Sequence, residues 1–200
     1  MLGGMTLAQA DAAKDFMLAA ALDNSHGLGQ LLDAGLDPNL RKANGDTALH
    51  VATREESAQA LARLLQHPAI EVDLSNEAGE TPLMLAALRG RLDLAKPLLA
   101  HGARINRSGW TALHYACSGP GSDVVAWLIV QGADLDARAP NGTTPLMMAA
   151  GYGGPSSAEL LLAAGADAAL RNEQGLSAAD FARRAGYERL EQMLLKSVGP

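Results

Sequence analysis

The chain repeats itself. Thr47-Ala-Leu-His-Val-Ala52 returns as Thr81-Pro-Leu-Met-Leu-Ala86, Thr111-Ala-Leu-His-Tyr-Ala116 and Thr144-Pro-Leu-Met-Met-Ala149, with a degenerate copy at Ser177-Ala-Ala-Asp-Phe-Ala182. The intervals are 34, 30, 33 and 33 residues, and one more period back lies Asp15-Phe-Met-Leu-Ala-Ala20, with the same apolar positions. A second motif keeps phase: Leu31-Leu32-Asp-Ala-Gly35, Leu98-Leu99-Ala-His-Gly102, Leu128-Ile129-Val-Gln-Gly132 and Leu161-Leu162-Ala-Ala-Gly165. A glycine also precedes each helix-starting Thr or Ser by two residues, at Gly45, Gly79, Gly109, Gly142 and Gly175. A fixed period of this length means stacked units, each burying its apolar face on its neighbours.

One unit can be read from its residues. Thr is a good helix N-cap and Pro suits the first helical position, so Thr-[Pro/Ala]-Leu starts a first helix. Leu49 and Ala52 then share a face, and the small Ala lets another helix come close. The Leu-Leu pair belongs to a second helix, ended by a Gly able to take positive φ. The residues up to the next repeat are polar and turn-rich, as in Asp37-Pro-Asn39 and Asn44-Gly45, and read as a short β-hairpin loop. Apolar residues are 48 % of the 200, yet aromatics only 4 %. The core must therefore be built mainly from Ala and Leu, both helix formers. The expected fold is an all-α repeat solenoid of helix-turn-helix units joined by hairpin loops.

These motifs resemble those of the ankyrin-repeat family, over about Lys14 to Leu195. The resemblance implies four internal repeats between two capping repeats, at about 11–43, 44–77, 78–107, 108–140, 141–173 and 174–198, in one domain of residues 11–200 behind a tail of 1–10. The caps are expected to turn polar faces outward: Asp11, Lys14 and Asp15 at one end, and Arg183, Arg184, Glu188, Arg189, Glu191 and Lys196 around Phe181, Leu190, Leu194 and Leu195 at the other. Three departures stand out. Gly102 to Gly109 spans 7 residues where the other Gly-to-Gly intervals are 10, so that hairpin is shortened. His67-Pro68 replaces a Gly-Ala ending. Pro97 falls where the second helix of repeat three should run, which predicts a kink or a late helix start. The stretches Ser118-Gly-Pro-Gly-Ser122 and Gly151-Tyr-Gly-Gly-Pro-Ser156 widen the turns between paired helices.

Several function classes lack their signatures. Net charge is −6 with pI near 5.3, and no basic run exceeds Arg183-Arg184, so nucleic-acid binding is not expected. The uncharged stretch 139–158 carries Pro140, Pro145, Pro155 and four glycines, so no membrane insertion is expected. A single cysteine, Cys117, forbids an internal disulfide and a multi-cysteine zinc site. Ala8-Gln9-Ala10 has the form of a signal-peptidase site, but residues 1–7 lack the charged and apolar regions that accompany one. As written, the chain is expected to be cytoplasmic, and periplasmic or secreted if the start is a truncated signal peptide. An Arg:Lys ratio of 12:4 suggests a GC-rich bacterial genome.

No catalytic set stands out. His114 and Cys117 are three apart on one helix, the spacing of a thiolate–imidazole pair. The family resemblance instead implies that His50 and His114 make structural hydrogen bonds between repeats and that Cys117 replaces a small buried Ala. Gly151-Tyr-Gly-Gly looks like a phosphate loop but follows a helix rather than a strand. No cofactor and no metal are expected, and no enzyme activity.

The resemblance points to binding. Such stacks bind proteins through a concave face made of hairpin tips and the exposed positions of the first helices. Carried over, this places Asp46, Glu80, Arg107, Trp110 and Asn141 on the tips and Leu88, Arg89 and Tyr152 on the helices. Trp and Tyr are favoured anchors at interfaces. Trp110 and Tyr115 either contact a partner or pack within the stack. The expected function is a monomeric, non-enzymatic protein-interaction module with an unidentified protein partner. Its alternatives are an accessory or immunity-like inhibitor of a specific enzyme, or a small-molecule or enzymatic site around His114 and Cys117.

Overall fold

Local sequence signals set the helices, and each unit then adds one pair. The computed structural model describes residues 7–198. Among them run α1 (Leu7–Ala21), α2 (Ser25–Asp33), α3 (Ala48–Arg54), α4 (Ala58–Leu65), α5 (Pro82–Leu88), α6 (Leu92–Ala100), α7 (Ala112–Ser118), α8 (Asp123–Val130), α9 (Pro145–Met148), α10 (Pro155–Ala163), α11 (Ala178–Arg184) and α12 (Glu188–Ser197). A π-helical turn, Ala149–Gly153, continues α9. This is the architecture of an α-helical repeat solenoid. Residues 1–6, part of the expected tail and of the possible signal segment, lie outside the described residues, and α1 begins at Leu7.

The first helices start on hydrogen-bonded caps. Thr111 and Ser177 each accept, through the side-chain oxygen, the amide three residues on. The fourth motif position returns the bond. The Thr47 amide donates to His50 Nδ1 at 3.1 Å, and the Thr111 amide donates to His114 Nδ1 at 3.2 Å. With Nδ1 accepting, the ring proton sits on Nε2, which donates to the Glu80 carbonyl from His50 and to the Thr143 carbonyl from His114, each at 3.0 Å. Each His thus ties its own cap to the turn of the next repeat. Met147 and Asp180 occupy the same position and accept from Thr144 and Ser177, so two different chemistries keep the cap where the His is missing.

The expected hairpin loops are tight turns closed by a main-chain bond, as in Lys42 N–H to the Asp46 carbonyl (2.8 Å) and Ala139 N–H to Thr143 (2.9 Å). No strand forms among the described residues. Successive turns are joined: Glu77 N–H reaches the Asn44 carbonyl and Glu173 N–H that of Asn141, each at 3.0 Å. Asn39 clamps the variant His67-Pro68 turn, giving its amide N–H to the Ala69 carbonyl and accepting from Glu71 N–H, and Asn106 does the same with Gly132 and Asp134.

Contacts divide the chain into two compact units. One takes in the chain through Pro82 together with Asp93–Ala103, the other Leu83–Leu92 and the chain from Arg104 onward. In the first, α1 packs on α2 and α3, and α4 on α2 and α3, around Phe16, Leu28, Leu49, Leu61 and Leu64, all within 1 % of full burial. In the second, α7 packs on α8 and α9, α10 on α8, and α11 on α9 and α12, over Leu113, Leu128, Leu146, Leu161, Leu190 and Leu194. The motif alanines Ala52, Ala86, Ala116, Ala149 and Ala182 are buried.

Of the two outcomes expected at Pro97, the late helix start does not occur: α6 begins at Leu92 and holds Pro97 in its interior. At the two ends the charges Asp11, Lys14, Asp15, Arg183, Arg184, Glu188, Arg189 and Lys196 are exposed, and some apolar residues are exposed with them. Leu18 on α1 and Leu22 just past its end are 56 % and 69 % exposed, and Leu195 on α12, placed in the apolar stripe, is 51 % exposed.

Candidate functional site

The residue just before each helix-starting Thr or Ser is Asp46, Glu80, Trp110, Thr143 or Leu176. Equivalent in sequence, these positions differ in what they present. Asp46 is fully buried. Its carboxylate takes Arg54 at 2.6 and 3.1 Å, Asn76 Nδ2 at 2.9 Å and Asn44 Nδ2 at 2.8 Å. Burial opposes its charge, but these donors and the Arg54 guanidinium outweigh it and hold the carboxyl well below the usual range. Asp46 is therefore a structural residue rather than the exposed tip contact the sequence suggested. Glu80 is half-buried and bonded to Asn76. Both belong to the first unit.

The other six sequence-chosen residues fall in the second unit. Arg89 and Asn141 are exposed, Leu88, Arg107 and Trp110 half-exposed, and Tyr152 66 % exposed. The structure brings Leu88 and Trp110 together. With His114, Tyr115, Ser118 and Met148 they line a hollow of about 220 Å³. On its other side Trp110 lines a second hollow, of about 360 Å³, with Met148, Tyr152, Phe181, Asn141, Glu173 and Arg184 among its walls. The indole stands edge-on to His114 (centroids 5.2 Å) and to Tyr115 (6.5 Å), so Trp110 packs within the array and also faces open space.

Tyr152 owes its place to the π-helical turn. Gly153 lies so close to the Cys117 carbonyl that any Cβ there would overlap it, and Gly154 takes φ +91°. Backbone packing that tight, with a left-handed residue after it, favours the wider turn over a further α-helical one. Tyr152 then projects outward with its ring edge-on to Phe181, 6.5 Å away. Met148 and Phe181 complete the walls, and sequence reasoning missed both. Met148 read as an interior motif position, and Phe181 as part of the terminal apolar stripe.

The catalytic candidates are closed off. Cys117 is fully buried, and burial pushes its thiol up, away from the reactive thiolate. His114 and His50 are fully buried, both ring nitrogens of each are hydrogen-bonded, and burial pushes their pKa values down. Among the described residues no cluster of His, Cys, Asp and Glu is arranged to hold a metal, and no helix is long and apolar enough to cross a membrane.

A family model for ankyrin repeats, in three copies, matches residues 16–108, 70–139 and 113–199. The chain is 35 % identical over 166 residues to the nuclear factor NF-kappa-B p105 subunit of Gallus gallus and 33 % identical over 169 residues to the tyrosine-protein kinase Shark of Drosophila melanogaster, in each case over 80 % of this chain. It spans only 17 % and 18 % of those proteins. Among solved structures, it is similar to an ankyrin repeat domain from Acinetobacter baumannii (TM-score 0.76, 30 % identity, 91 % of this chain and 96 % of that one). It is also similar to a chain in the complex of the predatory endopeptidase Bd0816 of Bdellovibrio bacteriovorus with immunity protein Bd3460 (TM-score 0.77, 26 % identity, 92 % and 97 %).

Proposed function

Because this chain belongs to the ankyrin-repeat family, we propose that it is a non-enzymatic interaction module that holds a protein partner against the concave face of its repeats. Ankyrin repeats generally mediate protein–protein interaction. The observation that carries the reading here is the pair of hollows walled by Trp110 and Tyr152 in the second unit, the large aromatic types that dominate binding energy. The groups able to do chemistry, Cys117 and His114, are spent on packing and hydrogen bonding. A face built on short helices and bonded turns gives up little conformational entropy on binding, which favours affinity at ordinary interface size, about 1,600 Å².

The test is affinity capture from a lysate of the source organism with wild type and with a Leu88→Ala, Trp110→Ala, Tyr152→Ala variant of matched circular dichroism. A protein kept by wild type and lost by the variant supports the reading. One kept equally by both moves the binding site off this face.

The similarity to a chain of an endopeptidase–immunity protein complex favours a second, narrower reading, in which the partner is an enzyme that this chain inhibits. That reading predicts stoichiometric loss of the captured protein's catalytic activity when the purified pair is mixed, and unchanged activity refutes it.

A further inference from the structure

The two hollows share Trp110 and Met148 as a common wall, yet they differ in chemistry. In the smaller one the His114 ring and the Ser118 hydroxyl are already engaged. His114 Nδ1 is bonded to Thr111 and Nε2 to the Thr143 carbonyl, while the Ser118 hydroxyl is bonded to the His114 and Tyr115 carbonyls. What remains toward the opening is Leu88, the Trp110 and Tyr115 rings and Met148. The surface this hollow presents is almost entirely apolar, which favours an apolar group entering it, and 220 Å³ gives room for one bulky side chain. The larger hollow holds Asn141, Gln174, Glu173 and Arg184 beside Tyr152 and Phe181. Arg184 is exposed, and among the described residues its guanidinium makes no hydrogen bond or ion pair; the same is true of the guanidinium of Arg89, next to Leu88. In the larger hollow Arg184 stands beside the single acid of its lining, Glu173, in a chain whose net charge is −6.

Resting on the reading of this face as the docking face, we propose that its occupant is a linear acidic segment of the partner protein. The segment seats one bulky apolar side chain between Leu88, Trp110 and Met148 and sets a carboxylate against Arg184 across the Trp110 wall. The apolar hollow supplies the anchor, and Arg184 selects the charge beside it.

Selection of random linear dodecapeptides displayed on phage against the full chain tests this, with binding of the enriched peptides then followed by fluorescence polarisation. The expected peptides carry a Leu, Met, Phe or Trp within a few residues of Asp or Glu, and bind more weakly as salt rises. Trp110→Ala should weaken them at least about tenfold. Leu88→Ala, which leaves the indole's ring contacts in place, should weaken them in the same direction. Arg184→Glu, at an exposed and unpaired site, should cost about fivefold and be recovered by peptides with Lys in place of the acid. Glu173→Gln should tighten them. Peptides without acidic bias, or indifferent to Arg184→Glu but lost on Trp110→Ala, would overturn the acidic segment and leave the docking face standing. Peptides that bind the Leu88→Ala, Trp110→Ala, Tyr152→Ala variant as well as wild type would sink both. Failure to enrich any peptide would overturn a linear occupant, and the capture experiment above then judges the face by itself.

Discussion

At the scale of single residues, burial decides role. Cys117 has no accessible surface and a thiol pushed up by desolvation, so it should resist a thiol reagent in the folded protein and react fully once unfolded. Rapid labelling of native protein would reopen the enzymatic alternative. His50 and His114 are held neutral by burial, which depresses their folded pKa values below the ordinary value of about 6.5. A depressed folded pKa means the unfolded chain takes up the proton first. The histidines' contribution is therefore complete above about pH 6.5 and is lost as pH falls below it. Asp46 acts in a lower window. Its depressed carboxyl contributes stability above about pH 4 that is lost on further acidification. Chemical denaturation across pH should show two steps. A His50→Asn, His114→Asn variant should lose the upper one, and Asp46→Asn should shrink the lower one, which Asp180 shares, at a cost of about 2 kcal/mol at neutral pH.

At the scale of elements, the motif's local chemistry was legible. Thr and Ser caps and the positive-φ glycines, such as Gly35 (+88°) and Gly165 (+98°), fall where the periodicity put them, because each depends on neighbours a few residues away. The π-helical turn was not legible. Gly151-Tyr-Gly-Gly announced a widened turn, but its form rests on the Cys117 carbonyl, far off in sequence. Gly153→Ala should therefore cost about 1–3 kcal/mol by overlap with that backbone and should displace Tyr152. Gly165→Ala, with open space around its Cβ, should cost only the left-handed strain, about 1 kcal/mol. Equal losses of thermal stability in the two variants would refute the close approach as the cause. Pro97 shows the same limit: a residue that disfavours a helix interior sits inside α6, flanked by Leu94, Ala95 and Leu98, all fully buried.

At the scale of the whole molecule, the chain is expected to be a monomer, with light scattering constant across protein concentration. Leu18 and Leu22 are the exposed pair from which any self-association should start. If mass does rise with concentration, Leu18→Lys with Leu22→Lys should abolish the rise, and a persistent rise in that variant would refute the assignment. The sequence by itself determined the period, the helix pairs, the caps and the solenoid class. Those follow from hydrophobic spacing and turn chemistry that every copy writes out again. Tertiary structure alone decided what each equivalent position presents. Asp46 and Trp110 hold the same place in their repeats, yet one is locked away by Arg54 and Asn76 while the other walls two hollows. Part of the difference is local, Arg54 lying eight residues beyond Asp46, and part comes from side chains about one repeat distant, Asn76 for Asp46 and Met148 for Trp110, whose meeting is set by how the helices pack.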